Sequence, residues 1–273
     1  MGMMKGRNFV NALGIPGWLL LIWVGGVYYS AFILIAMLIA ISEFYTMAEK
    51  KGATPLRWIG LSTTVLIAYY FHIQSQLTSH QIIGSIILVI LLTLVWELFS
   101  KEENPGLNIA YTLAGILFVS VLLGTAIDLR QFDSAMNTQL TLTMVLSVWV
   151  CDSAAFIFGT KYGKAKIFPR VSPKKSWVGS ISGMIASLVL FVSFHYQGWL
   201  GDYFGLTNVL ILGFITGGFG QFGDFTESLL KRDAGVKDSG TLLKGHGGVL
   251  DRFDSLIFAT PLTYLYVHFL MHF

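Results

Sequence analysis

Apolar segments long enough to cross a lipid bilayer follow one another along almost the entire chain. A transmembrane helix needs about 20 mostly apolar residues, and Gly, Pro and charged residues divide this sequence into about nine runs of that order. The runs cover residues 9–24, 27–48, 57–73, 80–100, 107–127, 138–160, 176–195, 204–223 and 252–271. The sequence therefore predicts an all-α, polytopic membrane protein with about nine transmembrane helices.

The composition agrees with a membrane protein. Of 273 residues, 54% are hydrophobic and only 12% are charged, about half the charged fraction of a soluble domain. The single cysteine, Cys151, excludes an intrachain disulfide and is expected to fill space in an apolar helix. No small-residue cleavage site follows Lys5 and Arg7, so no cleavable signal peptide is predicted. The lack of targeting signals at both ends favours a bacterial inner membrane.

The Lys and Arg residues predict the orientation, because cytoplasmic loops carry an excess of them. With the N-terminus in the cytoplasm, each of the 18 Lys and Arg residues except Arg130 lies on the cytoplasmic side. Shifting the pattern by one span would destroy this asymmetry. We therefore predict a cytoplasmic N-terminus, an external C-terminus and a polar cavity for the active site on the cytoplasmic side.

The concentrated chemistry lies in the C-terminal part of the chain. Residues 1–135 contain about five apolar spans and little else. Residues 136–273 contain a basic loop at 161–176 and a charged, Gly-rich stretch at 228–254. We predict that the second part forms the catalytic region.

A helical face of polar residues is predicted at the end of the eighth span. Asp224, Glu227, Ser228 and Lys231 have the spacing i, i+3, i+4 and i+7, which places them on one side of a helix. A solvated cytoplasmic loop with mutually paired charges is the simpler alternative for this segment.

Asp251 and Asp254 share a face at the start of the ninth span. Carboxylates from two helix ends beside a Gly-rich turn suit a divalent cation that also holds phosphates. Mg²⁺ is usually bound by one or two carboxylates together with substrate oxygens.

The basic loop offers a second candidate for phosphate binding. Ser172 and Pro173 predict a helix start, with Ser172 as N-cap and Pro173 in the first turn. Lys174, Lys175 and Ser176 would then surround a helix N-terminus, which attracts anions. The alternative is a positively charged anchor that contacts anionic lipid headgroups.

Asp152 lies near the cytoplasmic half of the sixth span. An ionisable residue inside a membrane helix is costly and normally faces protein or a water-filled cavity. A functional role is favoured over that of a satisfied structural polar group.

The C-terminal stretch resembles a known family signature. Ser228, Lys231, Arg232, Lys237 and Asp238, followed by His246, Gly247, Gly248, Asp251, Arg252 and Asp254, are similar to the signature of phosphatidate cytidylyltransferases, also called CDP-diacylglycerol synthases. The segments around Asp152 and 172–177 resemble two upstream motifs of that family. Lys244 and Val178 depart from the family pattern, which has a small turn residue and an acid, respectively, at these positions.

This resemblance implies a reaction between two polyanions at a membrane. CTP and phosphatidate would give CDP-diacylglycerol and pyrophosphate, with Mg²⁺ as cofactor and a second cation allowed. Membrane lipid surrounds the protein, no nucleic acid is expected as a partner, and a homodimer stays open.

The resemblance also implies roles for individual residues. Asp224, Asp251, Asp254 and Lys231 would be catalytic. Metal would be held by Asp224 and Asp251, with Asp254 and Asp152 as further candidates. The residues expected to bind substrate phosphates are Lys174, Lys175, Ser176, Ser228, Arg232, Lys237, His246, Gly247, Gly248 and Arg252.

Other functions compete with this interpretation. A cytidylyltransferase for another lipid phosphate or a polyprenol phosphate would share every local feature. The spaced Asp pattern of CDP-alcohol phosphotransferases is absent from the sequence. A membrane transporter could contain Asp152 and Asp224, but it would not explain His246, Gly247 and Gly248 beside a lysine-rich loop.

The predicted orientation can be tested with topology reporters. A reporter inserted at Ala165 should be cytoplasmic and one fused after Phe273 external, because the basic residues lie on one side. Alkaline phosphatase and fluorescent-protein fusions measure this directly. Finding both positions on the same side of the membrane would contradict the nine-span arrangement.

Overall fold

The computed structural model describes residues 14–73, 78–131, 136–241 and 247–270. The helices of these residues are α1 (Gly14–Val24), α2 (Gly26–Glu49), α3 (Arg57–His72), α4 (Ser79–Phe99), α5 (Pro105–Gln131), α6 (Asn137–Tyr162), α7 (Trp177–Tyr196), α8 (Leu206–Asp233) and α9 (Leu250–Leu265). Single π-helical segments interrupt α5 at Ile116–Val121 and α8 at Ile215–Phe219, and another, Tyr266–Leu270, follows α9. The described residues form no strand, so the predicted all-α class is confirmed.

Six of these helices, α2 and α4–α8, are long and apolar enough to cross a membrane. The prediction of a polytopic membrane protein is therefore confirmed. Helix α3 has 16 residues and α1 is shorter still, so neither alone reaches the ~20 residues of a full span. The count of nine spans and the orientation stay predictions.

The boundary between the first two helices lies at a glycine pair. Gly25 and Gly26 have φ angles of 68° and 55°, a left-handed conformation that favours glycine. Arg130 closes this break: Nε donates to the Ile22 carbonyl at 2.5 Å and Nη2 to the Trp23 carbonyl at 3.1 Å. Carbonyls at a helix C-terminus lack partners within the helix, so this arginine satisfies the end of α1.

The main hydrophobic core joins the two halves of the chain. Helices α2, α3 and α5 contribute buried residues such as Met37, Ile59 and Ile127, and α9 contributes Leu256 and Ile257. A second cluster lies among α6, α7, α8 and the segment after α9. Helix α9 therefore packs on both groups, and residues 1–135 support the region that carries the polar motifs.

Small and hydroxylated side chains hold α6, α7 and α8 together. The hydroxyls of Ser147, Ser187 and Thr216 lie within 2.5–3.0 Å of one another. A Cβ atom at Gly217 would collide with the Ser187 side chain, and one at Gly213 would make a tight contact with Leu188. Such residues let helices approach closely. Close packing matters in a membrane because apolar side chains gain little by leaving lipid for another helix.

Helix α4 is the most peripheral span. It begins with a capping box in which Gln81 accepts from the Thr78 backbone at 2.8 Å and Thr78 accepts from that of Gln81. Only Thr93 and Glu97 of this helix are buried, so most of its apolar surface is available to lipid.

Helices α8 and α9 touch backbone to backbone at Gly223. A Cβ atom at this position would collide with the carbonyl oxygen of Asp254 and approach the Cα of Ser255. The contact fixes how the polar face of α8 meets the start of α9.

We predict that Gly223→Ala separates α8 from α9. The added methyl group should lower the free energy of unfolding by about 1–3 kcal/mol, the usual cost of overpacking. Gly84→Ala is the control, because a Cβ atom there meets nothing within 4 Å. Thermal unfolding in detergent measures both, and equal midpoints for the two variants would contradict the contact.

Candidate active site

The predicted polar face lies on one continuous helix. Helix α8 extends to Asp233, ten residues beyond the predicted end of the span at 223. It therefore carries Asp224, Glu227, Ser228 and Lys231 within two turns. Ser228 Oγ donates to Asp224 Oδ1 at 3.3 Å, and Glu227 is fully buried. The helical spacing derived from the sequence is correct.

Lys231 links α8 to α9. Its Nζ donates to Glu227 Oε2 at 2.6 Å and to Asp251 Oδ1 at 2.5 Å. The Lys231 side chain is only 10% exposed. A buried ammonium between two carboxylates neutralises much of their charge, which makes the burial of Glu227 tolerable.

Asp251 is held from its other side by the Gly-rich loop. Its Oδ2 accepts from the Gly248 amide at 2.7 Å and from the Ser239 amide at 3.0 Å, and it lies 3.0 Å from the Ser239 hydroxyl. Gly247 has a φ of 78°, and a Cβ atom there would press on this carboxylate. Gly247 therefore lets the backbone approach Asp251 closely. His246 lies outside the described residues.

A second acidic group gathers around Asp224. Asp152 on α6 and Asp254 on α9 both lie close enough to Asp224 to interact with it electrostatically. Lys175 forms an ion pair with Asp224, and its Nζ lies 4.5 Å from the centroid of the Phe225 ring. Lys175 of the basic loop thus pairs with Asp224 and lies within electrostatic range of Asp152 and Asp254.

The basic loop does not begin a helix where the sequence predicted. Ser172 is not an N-cap, because helix α7 starts at Trp177 and Ser176 is its N-cap. The Ile167 amide donates to the Lys175 carbonyl at 3.3 Å and the Trp177 amide to the Ala165 carbonyl at 3.1 Å. This pairing holds Lys175 and Ser176 outside a helix, and the Ser-Pro signal produces only a turn at 173–174.

The loop presents its predicted phosphate ligands unequally. Lys175 reaches Asp224, whereas the Lys174 side chain is exposed. Ser176 is buried, and its hydroxyl accepts from the Gly179 amide at 3.3 Å. Phosphate binding by these three residues stays a prediction, and the position of Lys175 supports it best.

The remaining predicted ligands lie near the loop that follows α8. Arg232 joins this region to the basic loop through its Nε, which donates to the Val171 carbonyl at 3.4 Å. Lys237 and Arg252 are exposed. Their contact with phosphates stays a prediction.

Sequence reasoning missed two residues that shape the site, Ser239 and Glu43. Ser239 is buried and contacts Asp251. Glu43 of α2 is also buried, and its Oε2 lies 2.9 Å from the same Ser239 hydroxyl, which can donate its proton to one of the two carboxylates at a time. An acidic residue in the apolar run of α2 was a usable signal, since such residues are rarely without a partner or function.

The carboxylates suit Mg²⁺ only in combination with substrate oxygens. Among the described residues, no three Asp, Glu, His or Cys side chains form a ready-made metal site. Mg²⁺ needs only one or two protein carboxylates when phosphates supply the rest, and the group around Asp224 provides these. Glu227 Oε1, which is buried and has no hydrogen-bond partner, adds unsatisfied acceptor capacity nearby. A cation shared by Asp224 and Asp251 stays a prediction, since each now pairs with a different lysine.

A cavity opens beside the Gly-rich loop. It has a volume of about 860 Å³ and lies between α2, α3 and residues 239–241. Apolar side chains such as Leu38, Leu61 and Val65 line its walls, and Glu43 and Ser239 lie among its polar residues. The cavity therefore combines an apolar surface with the polar loop.

Comparison with known proteins decides the family. Residues 5–270 match the cytidylyltransferase family. The chain belongs to this family. The resemblance found in the signature residues is thereby confirmed, and it extends over nearly the entire sequence.

Individual cytidylyltransferases are similar to this chain over much of their length. A phosphatidate cytidylyltransferase of Staphylococcus aureus (strain COL) is 32% identical over 265 residues, which cover 95% of this chain and 97% of the relative. The phosphatidate cytidylyltransferase of Synechocystis sp. is 31% identical over 92% of each chain. That of Haemophilus influenzae is 40% identical over 59% of this chain and 57% of its own.

The two adjacent lysines allow a matched test of the basic loop in this cytidylyltransferase. Lys175→Gln should lower kcat/KM by at least about tenfold, because it removes the cation that meets the carboxylates and an incoming phosphate. Lys174→Gln should lower it by no more than about threefold, as expected for an exposed charge. Equal losses in steady-state assays would show that the pairing of Lys175 with Asp224 has no special role.

Proposed function

We propose that this protein transfers a cytidylyl group from CTP to phosphatidate, producing CDP-diacylglycerol and pyrophosphate. The observation that supports this most is the ion pair between Lys175 of the basic loop and Asp224, with Asp152 and Asp254 within electrostatic range of both. The names of the similar enzymes supply phosphatidate as the acceptor and cytidylyl as the transferred group, and CTP is our proposal for the donor. The reaction belongs to phospholipid biosynthesis.

The chemistry requires positioning more than proton transfer. An oxygen of the phosphatidate phosphate attacks the α-phosphorus of CTP, and the bond from that phosphorus to the bridging oxygen of pyrophosphate breaks. The nucleophile is already an anion at neutral pH. Bringing two polyanions together is therefore the main obstacle, and fixed charges at the site must overcome it.

The residues of the chain divide this task. Lys175, which is 31% exposed and paired with Asp224, would contact phosphate oxygens. Lys231 and the loop amides hold Asp251 in one orientation. Mg²⁺ would be held by Asp224 and Asp251, with Asp254 and Asp152 nearby, and it would neutralise charge on the phosphates.

The lipid substrate needs no pore through the protein. The 860 Å³ cavity beside residues 239–241 has apolar walls on α2 and α3, and acyl chains could lie there while the phosphate stays near the polar loop. We place the site on the cytoplasmic side of a bacterial inner membrane, in keeping with the distribution of basic residues.

The direct test is pyrophosphate release by the purified protein in detergent. CTP with phosphatidate should give pyrophosphate and CDP-diacylglycerol in equal amounts, and neither substrate alone should react. Polyprenol phosphate offered in place of phosphatidate tests the closest alternative. Turnover with polyprenol phosphate but not with phosphatidate would contradict the proposed substrate, and no turnover with any lipid phosphate would contradict the activity.

We predict that Asp224→Asn and Asp251→Asn each lower kcat by at least a hundredfold, about 3 kcal/mol of lost transition-state stabilisation. Asparagine keeps the shape of the side chain but removes its charge. If the two carboxylates act together, the double variant should lose little more than either single variant.

Asp233→Asn is the matched control on the same helix. Asp233 forms an exposed ion pair with Lys51 at 3.1 Å, so its loss should leave kcat nearly unchanged. Activity is measured across a range of Mg²⁺ concentrations. A near-normal rate for either Asp224→Asn or Asp251→Asn at ordinary Mg²⁺ would remove that residue from the catalytic group.

A further inference from the structure

Glu43 connects the N-terminal half of the protein to the Gly-rich loop. This residue lies near the end of α2, about 200 positions from the loop, and is 8% exposed. Its Oε1 accepts from the Val249 amide at 2.9 Å, and its Oε2 accepts from the Leu250 amide at 2.9 Å. Both oxygens of one side chain therefore bind the backbone at the start of α9.

These two amides belong to a helix end that lacks a cap of its own. Val249 is the N-cap residue of α9 and provides no side-chain hydrogen bond. The first amides of a helix have no partner within the helix and carry partial positive charge. Glu43 supplies the missing acceptor from another helix, and its negative charge complements the helix dipole.

Glu43 also reaches Asp251 through a single hydroxyl group. Ser239 Oγ lies 2.9 Å from Glu43 Oε2 and 3.0 Å from Asp251 Oδ2. The Ser239 amide donates to the same Asp251 oxygen at 3.0 Å. A shift of Ser239 would therefore disturb its amide hydrogen bond to Asp251 and the hydroxyl that lies between the two carboxylates.

The loop is built around the Glu43 carboxylate. A Cβ atom at Gly240 or at Gly248 would collide with Glu43 side-chain atoms. Gly248 in turn donates its amide to Asp251. Gly240 and Gly248 therefore leave the space that the Glu43 side chain occupies.

We propose that Glu43 is a positioning residue that fixes Asp251 for catalysis by holding Ser239 and the first turn of α9. The inference rests on the proposed function, because Asp251 is assigned to the catalytic group there. Lys231 restrains one Asp251 oxygen, and the residues held by Glu43 restrain the other. Glu43 itself contacts no substrate in this proposal.

Glu97 offers a matched comparison. It is another buried glutamate in the N-terminal half, at 6% exposure, and it accepts from Asn108 Nδ2 at 2.7 Å. Asn108 also binds the Thr54 amide at 2.6 Å, so Glu97 supports the packing of α4, α5 and the α2–α3 loop. A glutamate with a purely structural role should behave like Glu97.

The first measurement needs no activity. Glu43→Gln cannot accept at both oxygens, so amide hydrogen exchange of the peptide covering 247–251 should accelerate by about tenfold in the detergent-solubilised protein. Glu97→Gln should leave exchange of this peptide unchanged. Unaltered exchange in Glu43→Gln would overturn the proposal even if the enzyme proves to have another substrate.

The second measurement asks whether Glu43 acts through Asp251. Glu43→Gln should lower kcat with CTP and phosphatidate by about tenfold to a hundredfold, as expected for a small misplacement of a catalytic group. In an Asp251→Asn background the same change should cost less than about twofold, because coupled residues are not additive. A general loss of folded protein would lower the rate by the same factor in both backgrounds, and that result would overturn the proposal.

If Glu43→Gln fails to fold, Ser239→Ala tests the same link between Glu43 and Asp251. It removes the hydroxyl between the two carboxylates but leaves Glu43 on the α9 amides, so kcat should fall at least about fivefold with the KM for CTP within about twofold. An unchanged kcat would overturn the link from Glu43 to Asp251. An inactive wild-type protein would instead contradict the proposed function. The hydrogen-exchange measurement would still test whether Glu43 holds the start of α9.

Discussion

The polar region of this protein depends on one buried ammonium group. Lys231 lies between Glu227 and Asp251, and without it two buried or half-buried carboxylates would face each other across α8 and α9. Removing one partner of a buried ion pair leaves an uncompensated charge, which usually destabilises by several kcal/mol. Lys231 therefore lets acidic residues approach closely enough to form a site.

The two lysines of the site have different surroundings and so different tasks. The Lys231 side chain is buried and pairs with two carboxylates. The Lys175 side chain is 31% exposed and pairs with Asp224. An exposed ammonium can exchange a carboxylate for a phosphate oxygen at little desolvation cost, but a buried one cannot. The acidic groups thus separate into a rigid part around Asp251 and an open part around Asp224.

Periodic patterns could be predicted from the sequence, and contacts between distant segments could not. The apolar runs revealed the helices, and the spacing from Asp224 to Lys231 correctly placed four polar residues on one helical face. The Ser172–Pro173 signal failed because backbone pairing between 165–167 and 175–177 overrides a local preference. No local pattern could show that Glu43 reaches Val249 and Leu250, since that contact arises only when α2 packs beside α9.

The backbone contact at Gly223 limits how the chain can change in length. Because the Asp254 carbonyl lies directly against this glycine, α8 and α9 cannot slide past each other by one residue. One inserted residue between Gly223 and Lys231 would turn the rest of α8 by about 100°, and Lys231 would leave Asp251. The connection after Asp233 has a constraint of its own, because Ser239 and Gly248 within it contact Asp251.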